Sequence, residues 1–138
     1  MTLHKILYEA HSGIRWLVLL VLLITLIKLL MTWLGKKEYS KADRGLTSAT
    51  VGLLDLQFLL GISLIVWYLT QASGLTGYLY EHAGINLVAI IVAHVASKGA
   101  DLPGPLRARR TVSLLLLSAA LIVVAVSRMP NGWSMGGG

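Results

Sequence analysis

The chain of 138 residues has no cysteine, one phenylalanine, three prolines and only six acidic side chains. The missing cysteine excludes a disulfide oxidoreductase, a thiolate metal site, an iron–sulfur cluster and covalent haem attachment through Cys-x-x-Cys-His. Charged residues make up 13%, about half of the roughly 25% usual in a soluble globule. No nucleophile–base pair and no phosphate-cradling glycine loop is present, and the closing glycines follow no strand, which argues against a hydrolase or transferase. What fills the chain instead is apolar: 56% of residues are hydrophobic and the mean hydropathy is +0.75.

The apolar residues gather into four runs, each close to the roughly 20 residues that cross a hydrocarbon core of about 30 Å. They predict an all-α integral membrane four-helix bundle, up-down-up-down, in a single domain, with spans at 12–34, 46–70, 80–97 and 110–127. Spans, connections and a short tail account for these residues, so no soluble catalytic domain, nucleotide-binding module or receptor head is expected among them. The first helix is expected to begin outside the membrane, because His4, Tyr8, His11 and Arg15 already share one stripe at helical spacing. Its apolar stretch exceeds the 7–15 residues of a signal-peptide core, about half its length, and no small-residue cleavage site follows. Pro103 and Pro105 interrupt helix between the third and fourth runs.

The net charge of +6 could suggest nucleic acid, but the basic residues lie between the spans. The first connection holds Lys36, Lys37, Lys41 and Arg44, the second holds no Lys or Arg, and the third holds Lys98, Arg107, Arg109 and Arg110. This asymmetry predicts the first and third connections in the cytoplasm and both termini on the outer side of a bacterial inner membrane. Lys5, Arg15 and Arg128 oppose it more weakly. Lys28, two turns before Lys36, is expected to snorkel toward the cytoplasmic surface. Trp67, Tyr68, Tyr78 and Tyr80 read as an outer aromatic belt, Trp33 as its counterpart below, and the tail after Ser127 as an interfacial anchor ending in disorder.

A polar side chain in hydrocarbon is costly, about 2.5–3.5 kcal/mol for a charge at a helix centre, so each one needs a reason. The candidates are His11 and Arg15 on the first span, Asp55 and Gln57 on the second, and His82, Asn86 and His94 on the third. The fourth offers only Ser113 and Ser118 and reads as a packing wall. At about 1.5 Å per residue, His82 lies near the outer surface and His11 arrives there too, roughly 10 Å higher, which makes them the one histidine pair on different spans able to meet. His94 falls near the cytoplasmic end, turned about 120° from His82, where capping of the last turn or headgroup contact explains it. His4 is expected in water or among headgroups. Asp55 and Gln57 point about 160° apart, so one is expected to face the bundle interior and the other a separate protein neighbour. His82, Asn86, Ala89 and Ala93 form a small or polar stripe suited to helix packing.

Two neutral imidazoles from different helices can grip a b-type haem non-covalently. In that reading Arg15 pairs with a propionate, Trp16 packs the porphyrin edge, and Gly13 and Gly84 let a flat ring approach the backbone. Interfacial histidines account for the same pair about as well. His11-Ser12-Gly13-Ile14-Arg15-Trp16, Leu56-Gln57-x-x-x-Gly61, and Glu81-His82 opening a helix that ends in His94 and a basic loop resemble small four-helix bacterial membrane proteins labelled cytochrome b-like. The resemblance extends to about Lys98 and leaves out the fourth helix and the tail. It implies haem b as cofactor, His11 and His82 as metal ligands, His94 as a further ligand candidate, and Gln57 in the interior.

Three functions follow as expectations. The first is an electron-transfer protein or subunit with haem between the first and third helices, exchanging electrons with a quinone pool or a larger redox complex. The second is a haem-free accessory subunit of a respiratory or photosynthetic membrane assembly. A proton or solute transporter using Asp55 and Gln57 is the third, weakened by the lack of an inverted repeat or broken helix.

Overall fold

The computed structural model describes residues 2–71 and 74–134; the expectation for Met135 and the closing glycines lies outside them. Among the described residues there are four helices and no strand: α1 Leu3–Leu34, α2 Lys41–Thr70, α3 Gly77–Ala96 and α4 Gly104–Ser127. All four are long and apolar enough to span a membrane.

Helix starts lie further out than the apolar runs suggest. α2 begins at Lys41 because Ser40 and Asp43 form a capping box, each side chain taking the other's backbone N–H. α4 begins at Gly104, with Pro105 in its first turn, where a missing N–H costs nothing. Hydropathy marks where lipid begins; caps decide where helix begins. Gly104 also abuts the first connection so closely that a Cβ would fall 2.7 Å from the Lys37 carbonyl oxygen and 2.8 Å from the Tyr39 nitrogen.

The helices stand in a square in chain order. α1 packs on α2 and α4, α3 packs on α4 and, much more slightly, on α2, and α1 and α3 face each other diagonally. Four alternating spans bring the N-terminus and the described C-terminal segment to one end and the two basic connections to the other. At the basic end packing is tight. Ala89, Ala93 and Ala96 of α3 are fully buried against Ala108, Thr111 and Leu115 of α4. Small residues let the backbones approach until Ser118 Oγ donates to the Ala89 carbonyl at 2.8 Å and Thr111 Oγ1 to that of Ala96 at 3.2 Å. Between α1 and α2, Thr25 and Thr50 join their hydroxyls at 2.8 Å. Leucines, isoleucines and valines such as Leu20, Ile27, Leu59 and Val123 cover the outside, the apolar surface that hydrocarbon requires.

Lys28 turns toward the basic end and finds a partner there. Its Nζ donates to Asp43 Oδ1 at 2.8 Å, and that fully buried carboxylate also accepts from Thr32 Oγ1 at 3.0 Å and the Ser40 N–H at 2.8 Å. An anion in the first turn of α2 is a strong partner for an ammonium.

Candidate functional site

Toward the end that carries the termini the bundle loosens around a cavity of about 360 Å³. Isoleucines, leucines, Phe58 and Tyr78 give it apolar walls, and His11, Arg15, Gln57, His82 and Asn86 supply its polar groups. Bulky Leu22 and Leu26 are buried on α1 further toward the basic end.

Two reciprocal contacts hold the first imidazole. His11 Nδ1 is 3.2 Å from the Gln57 carbonyl oxygen, and Gln57 Nε2 donates to the His11 carbonyl at 2.7 Å. Gly61, one turn beyond Gln57, makes the approach possible, since a Cβ there would lie 3.2 Å from His11 Cε1. The second imidazole, His82, sets its Nδ1 2.8 Å from the Ala125 carbonyl. Ala125 sits in the last turn of α4, where carbonyls lack intrahelical donors; the Met129 N–H turns to Val126 instead. A carbonyl only accepts, so in both rings Nδ1 carries the proton and Nε2 keeps its lone pair. The ring centres stand 6.2 Å apart with planes 75° to one another. Asn86 Nδ2 donates to the His82 carbonyl at 3.0 Å and reaches His82 Nε2 only at 3.4 Å.

Arg15 is committed to the C-terminal segment. Its guanidinium donates to the carbonyls of Gly132 and Ser134 and lies near the rings of Trp16 and Trp133. Trp133 in turn donates to Ser127 Oγ at 3.1 Å. The residues after Ser127 thus form a strap: Met129, Pro130, Asn131, Gly132 and Ser134 line the cavity. The strap is held because backbone carbonyls in a turn are acceptors that a partly buried guanidinium needs. Two polar atoms of the lining, Arg15 Nε and Gln57 Oε1, are buried and have no hydrogen-bond partner among the described residues.

Other sequence candidates lie elsewhere. Trp16 contacts Trp133 at 6.1 Å and is not part of the lining, nor are Gly13 and Gly84, which have open space where a Cβ would stand. The glycine beside the histidines is Gly61. His94 neither caps its turn nor joins the cavity: its Nε2 meets Asp55 Oδ1 at 2.7 Å, on a half-exposed face between α2 and α3. Asp55 is therefore not buried, whereas Gln57 and Asn86 are half-buried in the lining. His4 leaves the solvent to stack on Trp67, ring centres 4.0 Å apart, with Tyr68 Oη 3.3 Å from its Nε2. Sequence reasoning missed the Ala125 carbonyl and the strap. The spacing Gln57-x-x-x-Gly61 was a usable sign of the close α1–α2 approach, but nothing in the sequence marks a carbonyl. Compared with protein-family models, curated proteins and solved structures, the chain matches none.

Proposed function

We propose that the chain is a membrane-embedded b-type cytochrome-like electron-transfer protein or subunit, with haem held between α1 and α3 by His11 and His82. The observation that carries this reading is the pair of imidazoles on diagonal helices, each with its Nδ1 proton tied to a backbone carbonyl and its Nε2 lone pair left for a metal. A carbonyl partner on the far ring nitrogen fixes ring orientation and raises ligand basicity, as ligating histidines require. The two ring centres stand 6.2 Å apart, a separation at which the rings could share one metal ion. Two side-chain ligands leave a bare ion under-coordinated, whereas a porphyrin brings four nitrogens of its own.

The unpartnered Arg15 Nε is a donor suited to a carboxylate, and the apolar walls would limit the water around a bound haem. A bound haem supplies one-electron transfer, and the chain's part is to ligate, orient and shield it. Quinone or a larger redox complex is the electron partner in this reading, and the basic connections orient the termini to the outer side of an inner membrane.

The test is a reduced-minus-oxidised absorption spectrum of the chain purified in detergent. A Soret band that falls in both His11→Ala and His82→Ala is expected; its absence, or full haem content in folded His82→Ala, refutes the proposal. A second reading, a haem-free accessory subunit, is favoured by the half-exposed Asp55–His94 pair, since polar groups on a lipid-facing surface call for a protein neighbour. Gentle solubilisation separates the two by whether the chain migrates alone or with a large assembly.

A further inference from the structure

At the opposite, basic end a crevice of about 110 Å³ opens where α2, α3 and the start of α4 meet, lined by Tyr39, Arg44, Thr47, Ser48, Ser97 and Arg107. It has room for several waters or one tetrahedral oxyanion. Arg107 lies flat on the Tyr39 ring, its central carbon 4.0 Å from the ring centre. That ring is itself fixed: Thr47 Oγ1 donates to the Asp43 carbonyl at 2.8 Å, so Tyr39 Oη must donate to Thr47 at 3.0 Å. Arg44 reaches over the same residue to the Tyr39 carbonyl at 3.3 Å.

The guanidinium so positioned has an unmet demand. Arg107 Nε is fully buried without a hydrogen-bond partner, and no ion pair among the described residues includes Arg107 or Arg44. Asp43, the nearest carboxylate in sequence to Arg44, is taken by Lys28. Nε itself is shut off from solvent, so an anion from outside the chain reaches this guanidinium through its terminal nitrogens, for which the described residues supply no acceptor either. Eight Lys and Arg against Glu38, Asp43 and Asp101 in and beside the two connections make this end attractive to anions. The crevice lies where the two basic connections meet the helices, the level at which headgroups stand in a spanning bundle.

We propose that this crevice binds the phosphodiester headgroup of an anionic phospholipid, with Arg107 and Arg44 clasping the phosphate and the hydroxyl of Ser48 donating to one of its oxygens. Basic pockets between spans at the headgroup level take such lipids, and the planar fork of arginine matches phosphate geometry. The site is independent of the histidine cavity at the other end.

The full chain, stripped of lipid in neutral detergent, is titrated with phosphatidylglycerol, phosphatidylcholine or inorganic phosphate while thermal unfolding is followed. Phosphatidylglycerol is expected to raise the unfolding temperature, and one molecule is expected to remain bound in the native mass spectrum. Arg107→Lys keeps the charge but lacks the planar fork of terminal N–H groups, so affinity should fall about tenfold. Arg44→Gln, altering an exposed residue, should weaken binding without unfolding the chain, whereas Lys36→Gln, with the same loss of charge outside the crevice, should not. Equal shifts from phosphatidylglycerol and phosphatidylcholine overturn the proposal, as do Arg107→Lys and Arg44→Gln binding like the unaltered chain. A shift from inorganic phosphate as large as that from the lipid also overturns it, in favour of a free anion.

Discussion

Asp43→Asn tests the packing of the basic end most directly. The carboxylate is fully buried and holds Lys28 Nζ at 2.8 Å, while its Oδ2 accepts the Ser40 N–H at 2.8 Å. The amide keeps the size and an acceptor for Ser40 but removes the charge opposite Lys28. Stripping one partner from a buried pair costs about 3–5 kcal/mol. The Lys28 side chain is 32% exposed, so its ammonium can recover part of this by turning to headgroups, and the expected loss is about 2–3 kcal/mol. Asp43→Ala also removes the acceptor of the Ser40 N–H, one half of the capping box, and should cost about 1 kcal/mol more. Lys28→Met leaves the anion its Thr32 and Ser40 donors and should cost less than Asp43→Asn. In the double variant Lys28→Met/Asp43→Asn the two losses should fall short of additivity by about 1–2 kcal/mol. Reversible unfolding in mixed detergent micelles, followed by far-ultraviolet circular dichroism, reads all four variants. Asp43→Asn within about 0.5 kcal/mol of the unaltered chain, the scatter of ordinary surface changes, or strict additivity in the double variant, refutes the reasoning.

Two further outcomes probe the other contacts. Gly61→Leu places a side chain against His11 and into the cavity while replacing a poor helix former with a good one; if the chain binds haem as proposed, it should abolish haem content per chain yet leave helicity intact, measured by absorbance and circular dichroism on one sample. Ser118→Ala removes the hydroxyl that reaches the Ala89 carbonyl, and unfolding in detergent should register a loss of about 0.6 kcal/mol, the mean for hydrogen bonds between membrane helices.

The bundle divides its labour between its ends. Alanines, threonines and the Lys28–Asp43 pair lock the helices together near the basic connections. Toward the termini, larger side chains and a slight α2–α3 contact leave space instead of a closed core. Arg15 ties the strap beside that space through Gly132 and Ser134.

Spans and their alternation were readable from hydropathy because every backbone group in lipid must be satisfied within a helix. The shared level of His11 and His82 followed from a constant rise per residue, and the packed face through Ala89 and Ala93 from a constant turn. Partnerships between helices did not follow. His94 and Asp55, or Lys28 and Asp43, meet because particular helices are neighbours at particular offsets, and a helical repeat carries azimuth only within its own helix. The strap was hidden for the same reason: Arg15 and Gly132 are 117 residues apart.

Composition and periodicity alone thus determined a lipid-embedded four-helix chain with its basic loops at one end and imidazoles near the other. Only the tertiary structure decided that two of those imidazoles face each other across a cavity with their Nδ1 protons on carbonyls, that a third serves Asp55, and that Arg107 has a buried Nε without a partner. The physical reason is that burial and repeat are properties of one segment against its solvent, whereas a hydrogen bond depends on where a second segment places its acceptor.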